Sequence, residues 1–228
     1  MEWRLLSSFP EEDRRAILDA AAHRSFARGE VLVHEDDPAD CLHLIAEGRV
    51  AVQVSTPSGE RATLNILSPG DYFGELSLVG ERGRRRRSAS VVALEPTQTL
   101  VISAATFEAL CAKHPAFDQL IAAALALRIQ QLSRRLLDAL YVGLDRRLYR
   151  CLIDLAHIYG HEKGPVTIPL TQEDLAFLVG GTRPTVNQIL QKLSAQKIIE
   201  LHRGRVIVGD AAALQFKAKV TGEPPGYR

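Results

Sequence analysis

The sequence predicts an α+β fold, and three observations carry the prediction. Between about residues 25 and 102, short β-rich runs (EVLVHE, CLHLIA, RVAVQVS, RATLNIL, SVVAL, TLVIS) alternate with turn residues such as Gly29, Gly48, Pro57, Gly59 and Gly70. From about 115 to 140 the pattern becomes a long helix with no glycine, and with no proline after its first position. Beyond 143 a helix, a short strand, two helices joined by a glycine turn and a hairpin follow in order. Short strands at such spacing make a β-barrel, roll or sandwich. Two helices around a tight turn make a helix-turn-helix, and the hairpin reads as its wing.

Composition sets the frame. The 228 residues are 46% apolar and 24% charged, the balance of a globular chain with one large domain or two small ones. The longest apolar stretch, 120–127, is far short of the roughly 20 residues that span a bilayer. The first residues, MEWRLLSSFPEED, carry no basic run followed by an apolar one. Cys41, Cys111 and Cys151 are widely spaced, form no CxxC pair and fit a reducing cytoplasm, which is the expected location. The net charge of +1 hides a split: residues 145–228 carry 12 Lys and Arg against 8 Asp and Glu, so the C-terminal part is the basic one. That asymmetry suits an anionic partner there.

Each element has its own reason. Pro10 and the acidic Glu11, Glu12 and Asp13 start a helix expected over 10–24. In the long helix, Ala122, Leu125, Ile129, Leu132, Leu136 and Ala139 follow 3-4 spacing, a narrow a/d seam. Such a seam either pairs with a second copy or lies across its own β-domain; its narrowness, after a complete β-domain, favours the second copy. Gly143 marks a hinge before a helix over 145–159. Thr171 and Asp174 form a capping box, Gly180 and Gly181 the tight turn, and Thr182 the cap of a helix from Arg183 to about Gln196, with Pro184 in its tolerant first turn. IIELHR and VIVG flank the wing turn, and TGEPPGYR is expected to be a disordered tail. The expected boundaries are 1–114, 115–142, 143–210 and a tail over 211–228.

Two constellations carry chemistry. The second helix of a helix-turn-helix enters the major groove N-terminus first. Arg183, Thr185, Asn187 and Gln188 stand there, with arginine suited to guanine and Gln188 to adenine. Thr171, Thr182, Lys192, His202, Arg203 and Arg205 are candidates for phosphate contacts. The other constellation is GDYFGELS followed by RRRRSA at 84–89. Glycines beside a short helix let backbone N–H groups approach an anion, an arginine and a serine complete the cradle, and Glu75 accepts a sugar hydroxyl. On composition alone the arginine run equally reads as a solvated loop. No nucleophile–base set stands out, so no catalytic residue is expected. An iron–sulfur centre lacks its cysteine cluster and a cupin-type metal site its HxH motif, so no metal is expected, while haem ligation by Cys41, His34 or His43 stays open.

Taken in order, RGEVLVHEDDPADCLHLIAEGRVAV, PGDYFGELSL, RSASVVAL, the long helix and LTQEDLAFLVGGTRPTVNQILQKL resemble the CRP/FNR family of bacterial transcription regulators over roughly residues 5–210. The resemblance implies an N-terminal cyclic-nucleotide-binding β-roll of the double-stranded β-helix or jelly-roll kind, a dimerisation helix over 115–142 and a C-terminal winged helix-turn-helix. It implies a homodimer on palindromic double-stranded DNA, contact with RNA polymerase and no membrane. The pocket implied is Gly74, Glu75, Leu76 and Ser77, with Arg87, Ser88 and Ala89 on the phosphate and Arg128, Leu132 and Ser133 from the long helix. No prosthetic group is expected; the implied effector is cyclic AMP, with cyclic GMP or cyclic di-GMP as alternatives.

Three departures from cyclic-AMP-responsive members bear on that effector and on the operator. The loop between Glu75 and Arg87 is about two residues longer and crowded by Arg82, Arg84, Arg85 and Arg86, which suits a more anionic ligand. Leu132 stands where those members carry a threonine that hydrogen-bonds adenine. Pro184 and Gln188 replace a glutamate and a second arginine on the reading helix, implying a related but distinct half-site. A ligand-independent regulator, and a nucleotide-binding adaptor that leaves DNA alone, remain the other readings.

Overall fold

The computed structural model describes residues 3–7, 9–57, 59–75, 78, 86–113, 116–160 and 164–219. It divides into two compact units, residues 1–132 and 133–228. The division falls within the expected dimerisation helix over 115–142.

The first unit holds two antiparallel four-stranded sheets, ordered β1-β8-β3-β6 and β2-β7-β4-β5. The strands are β1 Ala22–Phe26, β2 Val31–Val33, β3 Cys41–Glu47, β4 Val50–Ser55, β5 Arg61–Leu67, β6 Tyr72–Phe73, β7 Ser90–Ala93 and β8 Thr97–Ser103. The six β-rich runs of the sequence correspond to β2, β3, β4, β5, β7 and β8. Strand β3 is buried on both faces over Leu42–Ile45. Leu42 and Leu44 join an outer cluster with Trp3, Leu6, Ile17 and Phe107, whereas Ile45 joins Val50, Leu67, Phe73 and Val91. The central strand thus serves two cores, and no clean alternation marks it in sequence.

The helix expected over 10–24 is shorter: α1 is Glu11–Ala20, and Ala22, His23 and Arg24 already lie in β1. Nothing in AHRSF has a strand's apolar alternation, and four of its five residues are exposed. Pairing with β8, from Ala22↔Val101 to Phe26↔Thr97, overrides the local helical pattern. A helix α2, Ala104–Lys113, follows β8 where the sequence suggested no element.

The long helix α3 runs Ala116–Tyr141, 26 residues or about 39 Å. Leu125 packs against the outer cluster of the first unit. The rest of the described seam is open: Ile129 is 64% exposed and Leu136 60%, with Leu127, Leu137, Leu140 and Tyr141 also exposed.

In the second unit, α4 (Leu144–Tyr159) begins after the N-cap Gly143 and buries Leu148, Leu152 and Leu155 on one face. Helices α5 (Gln172–Val179) and α6 (Arg183–Ala195) follow the strand β9 (Val166–Ile168). The Thr171–Asp174 capping box is fully formed, with Thr171 N donating to Asp174 Oδ2 at 2.8 Å and Asp174 N to Thr171 Oγ1 at 3.1 Å. Gly180 closes α5 in the left-handed conformation, and Thr182 caps α6. A side chain on Gly181 would put Cβ 2.8 Å from the Leu144 methyls, so this glycine also lets the turn sit on α4. Strands β10 (Ile199–His202) and β11 (Arg205–Val208) form the wing hairpin, with β9 on the other side of β11. Helix α7, Ala211–Lys219, packs on α4; the tail over 221–228 lies outside the described residues.

Candidate ligand pocket and nucleic-acid interface

The first site is built where β6 ends and the chain returns at Arg87. Gly74 has φ +98°, and a Cβ there would lie 2.5 Å from Arg87 Nη1 and 2.8 Å from the Cys41 carbonyl. Only glycine meets both demands. Glu75 follows, 2% exposed, with Oε1 ion-paired to the Arg128 guanidinium of α3. Burial pushes the Glu75 carboxyl up from its ordinary range, and Arg128 pulls it back down. Its second oxygen, Oε2, is buried with no hydrogen-bond partner among the described residues. That is an acceptor waiting for a donor.

Arg87 is 4% exposed. It donates from Nη1 to the Cys41 carbonyl at 2.8 Å and from Nη2 to Cys41 Sγ at 3.1 Å. Its nearest carboxylate, on exposed Asp40, is 3.8 Å away. A buried cation held by uncharged acceptors retains its demand for an anion. Ser88 is exposed and Ala89 half-buried at the mouth of the same turn. Arg86 is exposed and donates to the Asp36 carbonyl at 2.6 Å. Leu76 and Ser77, and Arg82, Arg84 and Arg85 of the arginine loop, lie outside the described residues. Leu132 is 46% exposed, and Ser133 is exposed beside it on α3.

The structure therefore brings Gly74, Glu75, Arg87 and Arg128 together in the first unit. It adds Cys41, which sequence reading offered only as a haem ligand. The signal was hidden because Cys41 meets Arg87 across 46 positions of chain. His43 is buried, hydrogen-bonded through Nδ1 to Thr99 Oγ1 at 3.1 Å, and stacked on Phe73. His34 is exposed in a turn. Among the described residues, no group of three or more His, Cys, Asp or Glu gathers as a metal site.

The second site lies in the second unit. A cleft of about 320 Å³ is lined by Thr171, Glu173, Arg183, His202, Arg203 and Arg205 among others. Five residues named from sequence as nucleic-acid contacts thus converge between the start of α5, the first turn of α6 and the wing. On α6, Val186, Ile189, Leu190 and Leu193 are buried. The opposite face carries Pro184, Gln188 and Gln191, flanked by Arg183, Thr185 and Lys192, all exposed. Asn187 is half-buried, and its Oδ1 has no partner among the described residues. Gln191 was missed in the sequence, although the i, i+3, i+4, i+7 spacing of the four buried residues would have placed it outward. Among the described residues, no helix is long and apolar enough to cross a membrane.

Comparison with known proteins agrees with both halves. Residues 23–114 match the cyclic nucleotide-binding domain, and residues 146–216 match the Crp-like helix-turn-helix domain. The chain is 30% identical over 197 residues to the CRP-like cAMP-activated global transcriptional regulator of Mycobacterium tuberculosis, covering 85% of this chain and 87% of that one. It is 31% identical over 206 residues to the cyclic AMP receptor protein of Thermus thermophilus, covering 90% and 92%. Its fold matches the c-di-GMP-responsive regulator CLP of Xanthomonas campestris with a TM-score of 0.75 at 20% identity, over 88% of this chain and 99% of that one. Both domains recur in one order across nearly the full length of these relatives, and the chain belongs to the CRP/FNR family of transcriptional regulators.

Proposed function

We propose that the chain is a homodimeric, cytoplasmic regulator that binds palindromic double-stranded DNA when a cyclic nucleotide occupies the first site. One observation carries the ligand class. The site holds a buried cation whose one paired carboxylate among the described residues is that of exposed Asp40 at 3.8 Å (Arg87) and a buried carboxylate oxygen with no donor among the described residues (Glu75 Oε2). A molecule presenting a phosphate and a hydroxyl satisfies both, and a cyclic ribonucleotide carries the two on one rigid ring. Gly74, Glu75 and Arg87 form the floor, and Leu76, Ser77, Ser88 and Ala89 are the further candidates for the phosphate. Arg128 and Leu132 of α3 are the candidates for the base, with Ser133 as the serine that the base reaches from the neighbouring subunit. The relatives named as a cAMP-activated regulator and as a cyclic AMP receptor protein favour cyclic AMP over cyclic GMP or cyclic di-GMP.

The open apolar face of α3 supports a second copy of the chain as its partner, joined through Leu132, Leu136 and Leu140. Arg183 reads a guanine, and Gln188 and Gln191 face adenines in the same groove. Thr171, Thr182, Thr185, Lys192, Arg203 and Arg205 hold phosphates and fix register, and Asn187 lies at the rim of the reading face. Contact with RNA polymerase follows from the family. Leu132 favours a second reading. It offers no hydrogen bond to a base and lengthens the seam, so the dimer would form and bind DNA without effector.

Calorimetric titration of the full-length protein with cyclic AMP, cyclic GMP and cyclic di-GMP tests the proposal. One site per subunit for one of them supports a gated regulator. No heat at two temperatures with any of the three supports the effector-free reading.

A further inference from the structure

Arg87 is fastened almost wholly by one residue. Both prongs of its fork end on Cys41: Nη1 on the carbonyl at 2.8 Å and Nη2 on Sγ at 3.1 Å. Two bonds from a rigid guanidinium to one residue fix its plane and its direction. A thiol is a weak, uncharged acceptor. It orients the arginine without adding a charge of its own, so the only carboxylate paired with Arg87 among the described residues is that of exposed Asp40, at 3.8 Å from Nη2, whereas a carboxylate in place of the thiol would hold the guanidinium harder and neutralise it.

Cys41 is in turn held from behind. His43 Nε2 lies 3.6 Å from Sγ, and its Nδ1 is tied to Thr99 Oγ1 at 3.1 Å. The imidazole stacks on Phe73 at 4.6 Å with the planes only 10° apart, so it cannot turn away. Neither group adds a charge. Burial, and then the hydrogen bond to Asp40, keep the Cys41 thiol protonated, pushing it up from 9.0. Burial, and then the nearby Arg87 and Arg24, push His43 down to about 4. Gly74 supplies the room, since any Cβ there would collide with both Arg87 and the Cys41 carbonyl.

We propose that Cys41 is the positioning residue of the anion site: its thiol, backed by His43 and Thr99, aims the Arg87 guanidinium at the ligand phosphate without adding a negative charge beside it. The inference rests on the reading of Arg87 as the anion anchor. It assigns to Cys41 a part in selecting a phosphate ligand, through geometry and through the absence of charge.

The test uses full-length Cys41→Ser, Cys41→Val and Cys41→Asp proteins titrated with cyclic AMP. Serine retains an acceptor and is expected within about twofold of wild type; valine keeps the shape without an acceptor and is expected to bind about fivefold to tenfold more weakly. Aspartate, which cancels the charge, is expected to lose most of the affinity. In an Arg87→Lys background, where no fork remains to be aimed, Cys41→Val is expected to change nothing further. Equal losses in Cys41→Ser and Cys41→Val, or an undiminished loss in the Arg87→Lys background, would overturn the proposal and leave packing as the role of Cys41. Exchange of the Arg87 guanidinium protons, followed by NMR without ligand, is an independent reading: slow in wild type and Cys41→Ser, fast in Cys41→Val. Should the wild-type protein bind no cyclic AMP, the ligand reading fails, and this exchange decides the anchor alone; unchanged exchange in Cys41→Val overturns it.

Discussion

The Glu75 carboxylate, 2% exposed, is ion-paired through one oxygen to the Arg128 guanidinium of α3. Strand end and helix are tied by a charge pair whose second carboxylate oxygen is still unused. Any ligand hydroxyl that reaches Glu75 therefore joins a network already connected to the long helix. A signal at the β-roll has a mechanical route to α3 through two residues.

Removing Arg128 uncovers the cost of burying Glu75. Arg128→Ala is expected to destabilise the protein by about 1–3 kcal/mol near neutral pH, read as a lower urea midpoint. Burial raises the Glu75 carboxyl above its ordinary 4.5, and loss of Arg128 raises it further. A raised carboxyl favours the folded state below 4.5 and loses that contribution as pH rises through the folded value. The gap between wild type and variant should accordingly be small at pH 4 and widen as pH rises. A gap that narrows with rising pH contradicts the pairing.

His43 gives the opposite dependence. Its imidazole is pushed down from 6.5 to about 4, so the unfolded chain takes up the proton first as pH falls. The stability it contributes is complete above 6.5 and is lost as pH falls toward 4, by up to about 3 kcal/mol. His43→Gln removes this component. Urea titrations at pH 7 and pH 5 should show a smaller pH effect in the variant than in wild type.

The seam on α3 predicts a dimer. Leu136→Asp places a charge on a face whose leucines are about 60% exposed in the single chain. Burying one leucine contributes about 1.5–3 kcal/mol. Sedimentation should show wild-type dimers and, for Leu136→Asp, association weakened at least about tenfold with the helical content retained. A variant that associates like wild type would place the interface elsewhere.

On DNA, Arg183→Ala is expected to weaken binding to a selected duplex by about 1–3 kcal/mol. Gln191→Ala should leave total affinity less changed but relax one adenine position in a selection from randomised duplexes. Lys192→Ala should weaken all sequences alike and lower the salt dependence. If Gln191→Ala selects the same consensus as wild type, the glutamine is no reader.

Much of this was legible because it is local. The Thr171–Asp174 capping box, the left-handed Gly180 and the 3-4 spacing of α4, α5 and α6 are decided within a few residues. What escaped depends on distant partners. Strand β1 has no apolar alternation and exists because β8 offers it a ladder. The site residues Glu75, Arg87 and Arg128 could be named from sequence, but which side chain pairs with which could not. Arg128 reaches Glu75 across 53 positions, and Cys41 reaches Arg87 across 46. Cys41 was visible as a cysteine near a histidine, and only the fold reveals that it faces the Arg87 guanidinium.

In the proposed function, occupancy of the Glu75–Arg87 site controls DNA binding. The most direct measurement is duplex affinity by fluorescence anisotropy, with and without saturating cyclic AMP, for wild type and for Glu75→Ala with Arg87→Ala. A ligand shifts the equilibrium only as far as it prefers the DNA-competent state. Wild type is expected to bind at least about tenfold more tightly with cyclic AMP, and the double variant is expected to show no response. Equal affinity with and without ligand in wild type, or a response that survives both substitutions, would contradict it.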